Sequence, residues 1–320
     1  MVPDTARAVG YPERDVPCTH THGAHTVSAV SSHAQNPAMA RALIARSLAT
    51  AAGWETPVLL RASKGTSVFA AGPLVIRLAE PGRSPLNSKQ QAAMAVGLAA
   101  AGAAVVQPAD FPDTWSHLLE DPNLLGADEL GLWWRVERGY PLTPVALAEA
   151  IAAVHRIDPD AMPVAAPGFG VFGRLVAELD ELGDHPLLAP NAGRVGAFLA
   201  AAADEMAGTP SVLLHGDVNR GNVLTGPGRV VLCDLEFTMT GPALWDLTGP
   251  AGDLLLGRSP QCDPIALLDA YDGEAGPLWR TVAQLRATSS VLFRIAEYAA
   301  GTTLGDEAPA VLARLLSVLP

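Results

Sequence analysis

Apolar residues return every three to four positions through MARALIARSLATAAG, residues 39–53, and the same period governs most of the chain beyond Pro144. These windows predict helices at 39–53, 144–156, 170–182, 190–206, 263–271, 276–300 and 307–318. Between the first helix and the others the pattern changes. PVLLRAS (57–63), SVFAAG (67–72) and PLVIRLAE (73–80) are short β-rich runs parted by Lys64-Gly65-Thr66 and by Gly72-Pro73, as in an antiparallel meander. NSKQQAAMAVGLAAA (87–101) returns to the helical period, with Asn87 placed to cap it and Gly102 to close it. VVQPADFPDTW (105–115) and LGLWWRVERG (130–139) read as two more strands. The predicted fold is α+β: a small antiparallel-sheet lobe with one main helix over residues 36–136, then a larger, mostly helical lobe over 137–320. One polar β-hairpin, at 211–237, interrupts the helical lobe, and the chain has no internal repeat.

Composition narrows the function classes. A charged fraction of 17% with mean hydropathy +0.23 predicts a folded chain rather than a disordered one. No run of 18 apolar residues occurs, and residues 1–35 lack the basic and apolar regions of a secretory signal, so the expectation is a soluble, cytoplasmic protein with no membrane partner. Those first residues are expected to be a disordered tail. Its Cys18, His20, His22 and His25 are read as incidental metal binders rather than a built site. A net charge of −12, from 21 Lys+Arg against 33 Asp+Glu, argues against nucleic acid as a partner, because such proteins concentrate cations to displace counterions. It serves solubility, and it also suits a cationic small substrate. Three cysteines, Cys18, Cys233 and Cys262, form neither a disulfide framework nor a metal knuckle.

The chemistry concentrates in SVLLHGDVNRGNVLTGPGRVVLCDLEF, residues 211–237. Its turn is Gly226-Pro227-Gly228. Asn222 opens one strand of the hairpin and Asp234 ends the other, so both lie at the same end of the ribbon, about two residues or roughly 7 Å apart. An amide oxygen and a carboxylate so placed can share Mg²⁺, which takes oxygen ligands and keeps some waters. Asp217, in the tight HGDVNRG loop, can return to the same place as a general base. A base beside a metal pair is the set that phosphoryl transfer requires. Taken singly, these residues also serve as turn and cap residues. A hydrolase built on His215 and Asp217 would need further ligands, and His117, His155 and His185 offer none at close spacing.

LLHGDVNRGNVL, followed by VVLCDLEF and GPALWDL, closely resembles the aminoglycoside phosphotransferase and choline kinase group, which shares the bilobal protein-kinase-like fold. The resemblance extends more loosely over about residues 40–300. It implies that Asp217 is the base, that Asn222 and Asp234 hold Mg²⁺ on nucleotide phosphates, that His215 and Asp246 brace the catalytic loop, and that Glu236 is metal-proximal or structural. It also implies an ATP site in the first lobe, with GTP not excluded. Gly65, Thr66 and Ser67 would then touch phosphate from the first β-turn, Arg77 would replace the customary lysine, and backbone groups near Trp134, Arg135 and Val136 would meet the adenine edge. The helix at 87–101 should offer Arg77 a glutamate but carries Gln91, so Glu80 is a substitute, and a nucleotide-binding pseudokinase stands as the alternative. The implied acceptor is a small hydroxylated molecule, aminoglycoside-like or another metabolite alcohol. The Ala/Gly/Pro/Arg-rich composition suggests a GC-rich bacterial genome, in which antibiotic resistance is a common setting. Acidic residues Glu178, Asp180, Glu181 and Asp184 either attract a cationic acceptor or form a solvated helix face.

Overall fold

The computed structural model describes residues 37–63, 65–82, 84–120, 128–136, 139–226, 229–273, 276–302 and 305–320. The His-containing tail and the turn residues Pro227 and Gly228 lie outside them. Helix α1 (Pro37–Ala51) precedes strands β1 (Val58–Ala62), β2 (Thr66–Ala71) and β3 (Leu74–Ala79). Helix α2 (Ser88–Ala100), a short α3 (Ser116–Leu119) and β4 (Glu129–Trp134) complete the first lobe. Its four strands form an antiparallel sheet in the order β1-β2-β3-β4.

The local chemistry that sets these elements is plain in α2. Asn87 Oδ1 accepts the Gln90 N–H at 3.0 Å while Gln90 Oε1 accepts the Asn87 N–H at 2.9 Å, a reciprocal capping box. Gly102, at φ 95°, ends the run. Alternation along the sheet divides its faces. Phe69, Ile76 and Leu78 pack with Ile44 and Leu48 of α1, and Trp115 closes that core with its Nε1–H on the Leu48 carbonyl at 2.8 Å.

The helical lobe contains α4 (Pro144–His155), α5 (Val171–Leu182), α6 (Ala192–Met206), α7 (Leu244–Leu247), α8 (Gly249–Leu255), α9 (Pro264–Ala270), α10 (Leu278–Ala299) and α11 (Ala308–Val318). All six helical windows beyond Pro144 are present to within about two residues at either end. The two-lobed α+β architecture is as expected. Two short antiparallel pairs interrupt the helices: β5 (Val212–Leu214) with β8 (Met239–Gly241), and the hairpin β6 (Val223–Gly226) with β7 (Arg229–Leu232). The apolar core of this lobe gathers around α10, whose Val282, Leu285, Val291 and Ile295 are fully buried.

One expected strand does not form. Residues 105–115 make only isolated bridges, Val105 to Leu232 and Pro108 to Trp133. Pro108 and Pro112 lack the N–H groups a ladder needs. The stretch instead joins the lobes: the Val106 N–H donates to the Leu232 carbonyl at 2.8 Å, and the Ala109 N–H to the Leu132 carbonyl at 2.9 Å.

An ion cluster fastens α1 to its lobe. Arg41 is 2% exposed and forks onto Asp128, Nε to Oδ2 at 2.8 Å and Nη2 to Oδ1 at 2.9 Å, with Glu80 at 3.4 Å. Replacing Arg41 by Met leaves Asp128 uncompensated and should cost about 3 kcal/mol, by the range for breaking buried pairs. Urea unfolding measures it; a loss below about 1 kcal/mol would show that water already solvates the carboxylate.

Candidate active site

Strand β5 delivers His215, Gly216 and Asp217 to the floor of the cleft between the lobes. The turn after it is set by Asp246 of α7, which is 1% exposed. Its Oδ2 accepts the His215 backbone N–H at 2.8 Å and lies 3.2 Å from His155 Nε2, while its Oδ1 accepts the Gly216 N–H at 2.9 Å. Burial pushes the Asp246 carboxyl up, but the hydrogen bond and charge of His155, with those of His215, outweigh it and hold it below the usual carboxylate range. Gly216 sits at φ 86°, and a Cβ there would stand 1.9 Å from the Phe237 carbonyl oxygen, so only glycine fits. His215 donates from Nε2 to the Cys233 carbonyl at 2.9 Å, and its Nδ1 accepts the Asp217 N–H at 3.3 Å. Both residues brace the loop.

Asp217 is held from two sides. Its Oδ2 accepts Nδ2–H from Asn219 at 2.8 Å and from Asn222 at 2.9 Å. Asn222 is 2% exposed and also donates to the Asp217 carbonyl at 3.0 Å, so its amide hydrogens are both spent on Asp217. On the other side Arg286 of α10 places Nη2 3.3 Å from Asp217 Oδ1. Nothing near Asp217 in sequence announces this arginine.

The hairpin register pairs Val223 with Leu232, and the Cys233 N–H donates to the Asn222 carbonyl at 2.9 Å. Asp234 therefore stands one residue beyond Asn222 rather than two, because only two residues separate the paired Gly226 and Arg229. Asp234 adopts φ 64°, ψ 67°, the left-handed region, which turns the chain sharply into Leu235-Glu236-Phe237. Arg77, 7% exposed on β3, reaches across the cleft to both carboxylates: Nε lies 3.7 Å from Asp234 Oδ1, and Nη2 bonds Glu236 Oε2. Burial, then the charge of Asp234, push Glu236 up to about 7 against the pull of Arg77.

The expected pairing of Gln91 with Arg77 is not present. Gln91 donates to the Leu86 carbonyl at 2.8 Å, and its Oε1 is buried with no hydrogen-bond partner. Glu236 fills the place the helix was to supply. Glu80 serves Arg41 instead. Gly65 and Thr66 form the β1–β2 turn, where the Gly65 carbonyl accepts the Glu80 N–H at 2.9 Å. Ser67, opposite Leu78, points to the α1 face by strand alternation and lines a cavity of about 310 Å³ there with Phe69 and Arg46. Its hydroxyl is therefore turned away from the cleft. Thr66, opposite Ala79, and Val68, opposite Arg77, share the cleft face. Trp134 is half exposed, and its N–H and that of Arg135 are already bonded to the Gln107 and Pro73 carbonyls at 3.0 Å each. Val136 packs with Val106, Leu224 and Val231 in an apolar seam between the lobes.

Two observations bear on a cation at the hairpin end. Asp234 Oδ1 is buried with no hydrogen-bond partner, and the charges of Asp234 and Asp217 both raise Glu236. Among the described residues no group of three or more His, Cys, Asp or Glu converges as a self-sufficient metal site. An amide oxygen and a carboxylate with an unpartnered buried oxygen, Asn222 and Asp234, make a donor set of the kind a hard cation such as Mg²⁺ accepts. No helix among the described residues is long and apolar enough to cross a membrane.

A family model described as "Phosphotransferase enzyme family" matches residues 50–285. No curated protein matches the chain in sequence. Among solved structures, choline kinase LicA from Streptococcus pneumoniae is similar with a TM-score of 0.63 at 15% identity, over 87% of this chain and 98% of that one. A choline/ethanolamine kinase family protein from Mesorhizobium loti gives 0.53 at 21% identity over 82% and 87%. An aminoglycoside-3'-phosphotransferase of type VIII gives 0.53 at 20% identity over 75% and 94%. At these identities the structures establish a shared fold.

The lowered carboxyl of Asp246 sets a pH dependence. A carboxylate whose folded pKa is depressed adds stability above its unfolded value, near 4, and loses it as pH falls toward the folded value. Asp246→Asn should therefore unfold more readily at neutral pH and show a flatter fall in stability below about pH 4 than the parent. Unfolding midpoints between about pH 2 and 7 measure it, and parallel curves would remove Asp246 from that role.

Proposed function

The chain belongs to the phosphotransferase enzyme family, and from that premise we propose that it is an ATP-dependent, Mg²⁺-requiring kinase that phosphorylates a hydroxyl of a small molecule. The observation that carries this reading is Asp217, held by Asn219 and Asn222 beside the Arg77–Asp234–Glu236 cluster at the hairpin end. A binding module has no need of a carboxylate so oriented.

The residues divide the work. Val136, half-buried at the edge of the apolar seam, would meet the base of the nucleotide, and the Gly65-Thr66 turn with Arg77 would face its phosphates. Asn222 and Asp234 would hold the metal. Bound Mg²⁺ supplies charge neutralisation for the transferring phosphoryl group. Asp217 accepts the acceptor hydroxyl's proton as that oxygen bonds the γ-phosphorus, and the bond to the bridging oxygen breaks with its electron pair leaving on ADP. A cytoplasmic setting supplies ATP and Mg²⁺.

For the acceptor, the half-buried face of α10 that begins at Arg286 continues through Ser289, Ser290, Phe293 and Arg294. Arg174 of α5 bonds Ser289 at 3.3 Å and lies 5.0 Å above the Phe237 ring, with Glu178 at 3.9 Å. Burial raises Glu178 against the pull of Arg174, while Asp180, Glu181 and Asp184 are exposed. Serine hydroxyls and Glu178 on this wall can hydrogen-bond an acceptor's hydroxyls or amines, so the acceptors to test are aminoglycoside-like compounds, choline-type amino alcohols and sugars.

Transfer from γ-labelled ATP with Mg²⁺ to such a panel tests the proposal. We expect labelling of one acceptor class and a loss of about 10²–10⁴-fold in Asp217→Ala, with nucleotide affinity retained. Tight nucleotide binding without transfer to any acceptor or to water would favour a pseudokinase.

A further inference from the structure

Arg286 is distant from the motif in sequence, yet no cation is fastened more closely to the catalytic loop among the described contacts. Its Nη2 meets Asp217 Oδ1 and the Val218 carbonyl, each at 3.3 Å, and its Nη1 reaches the Gly216 carbonyl at 3.4 Å. The guanidinium lies 4.6 Å over the ring of Trp245, whose Nε1–H donates to the same Gly216 carbonyl at 2.7 Å. The arginine side chain is 10% exposed. It reaches this place past α8, where Gly249 and Gly252 leave the room. A Cβ on Gly252 would stand 3.2 Å from Arg286 Cβ, and one on Gly249 would stand 2.6 Å from the Val218 carbonyl oxygen.

The two oxygens of Asp217 are not equivalent. Oδ2 receives two amide N–H groups at 2.8 and 2.9 Å, which fill its in-plane acceptor sites. Oδ1 has the longer contact with Arg286, which leaves it an open site for an incoming proton. We propose that Arg286 is a positioning residue that holds Asp217 so that Oδ1 faces the acceptor hydroxyl. This rests on the phosphotransferase reading of Asp217 and adds the identity of the oxygen and of the group that presents it. In the reaction the hydroxyl proton passes to Oδ1 while the alcohol oxygen bonds the γ-phosphorus, and ADP leaves with the electron pair of the broken bond. The planar fork of arginine spans carboxylate and carbonyls together, and the indole face beneath fixes its plane. A lysine offers charge without that fork.

The acceptor being unidentified, water serves as the probe: phosphate release from γ-labelled Mg²⁺-ATP by the full chain, for the parent, Asp217→Asn, Arg286→Lys and Arg286→Ala. We expect Arg286→Ala to lower kcat by about 10²-fold, the scale of a 1 Å misplacement at a reacting group, with KM for ATP within about twofold of the parent. Arg286→Lys should retain more activity, and added guanidinium ion should restore part of what Arg286→Ala loses. Full activity in Arg286→Ala, with Asp217→Asn inactive, overturns the inference and leaves the reading of Asp217 intact. A loss that neither lysine nor guanidinium relieves, with a lowered melting temperature in both arginine variants, assigns Arg286 to the fold and equally overturns it. Unchanged release in Asp217→Asn would instead remove the underlying reading.

Discussion

A carboxylate with no access to water, Asp246, governs the floor of the cleft. Burying a charge is unfavourable unless hydrogen bonds replace those of water. Here the two consecutive N–H groups of His215 and Gly216 and the ring of His155 do so. Two donors from adjacent residues can meet one carboxylate only if the chain turns between them, so satisfying Asp246 fixes the loop that carries Asp217. His155 is itself 2.7 Å from the Tyr271 hydroxyl, which extends the bracing to α9's end. Asp217 is placed by a residue 29 positions further along the chain.

The lobes are coupled by a second set of charges with a different logic. Arg77 belongs to the sheet lobe, and its partners Asp234 and Glu236 belong to the helical one. Three groups share two negative charges and one positive, and burial together with that surplus raises Glu236 to about 7. Nearby, Gln91 supports the Leu86 carbonyl, and the Leu86 N–H in turn donates to the Glu236 carbonyl at 3.3 Å. Gln91 thus acts on the cleft through the backbone. The charge that a glutamate on this helix would have brought is present on the opposite lobe.

Much of this was legible in the chain, and the limits have physical causes. Periodicity finds α2 and the helices beyond Pro144 because each buries one face and carries local caps, such as Asn87 with Gln90 or Asp263 before α9. The HGDVNRGN and DLEF segments stand out because so many polar groups in apolar strands demand a purpose. Residues 105–115 mislead because β propensity is read without regard to where Pro108 must sit in a ladder. Ser67 misleads for a related reason: its type suits phosphate, but pairing opposite Leu78 turns it to the α1 side. Arg286 leaves no local mark at all. It is one of three arginines in a 22-residue helix, and only the packing of α10 on α8 at Gly252 reveals what it touches.

Two left-handed residues explain why the site can be so compact. Gly216 and Asp234 each reverse the chain in a single residue, and they lie on facing segments, since the Phe237 carbonyl occupies the space a Gly216 side chain would need. At Gly216 the conformation is free of penalty and any substitution collides. At Asp234 the side chain is retained although the conformation costs about 1 kcal/mol or more in a residue with a Cβ. A glycine there would relieve that cost, so the carboxylate is kept for what it contacts. Arg77 lies 3.7 Å from it, and its buried Oδ1 lacks a hydrogen-bond donor. Strain and an unsatisfied oxygen thus meet at one residue, the carboxylate that the proposed Mg²⁺ would use.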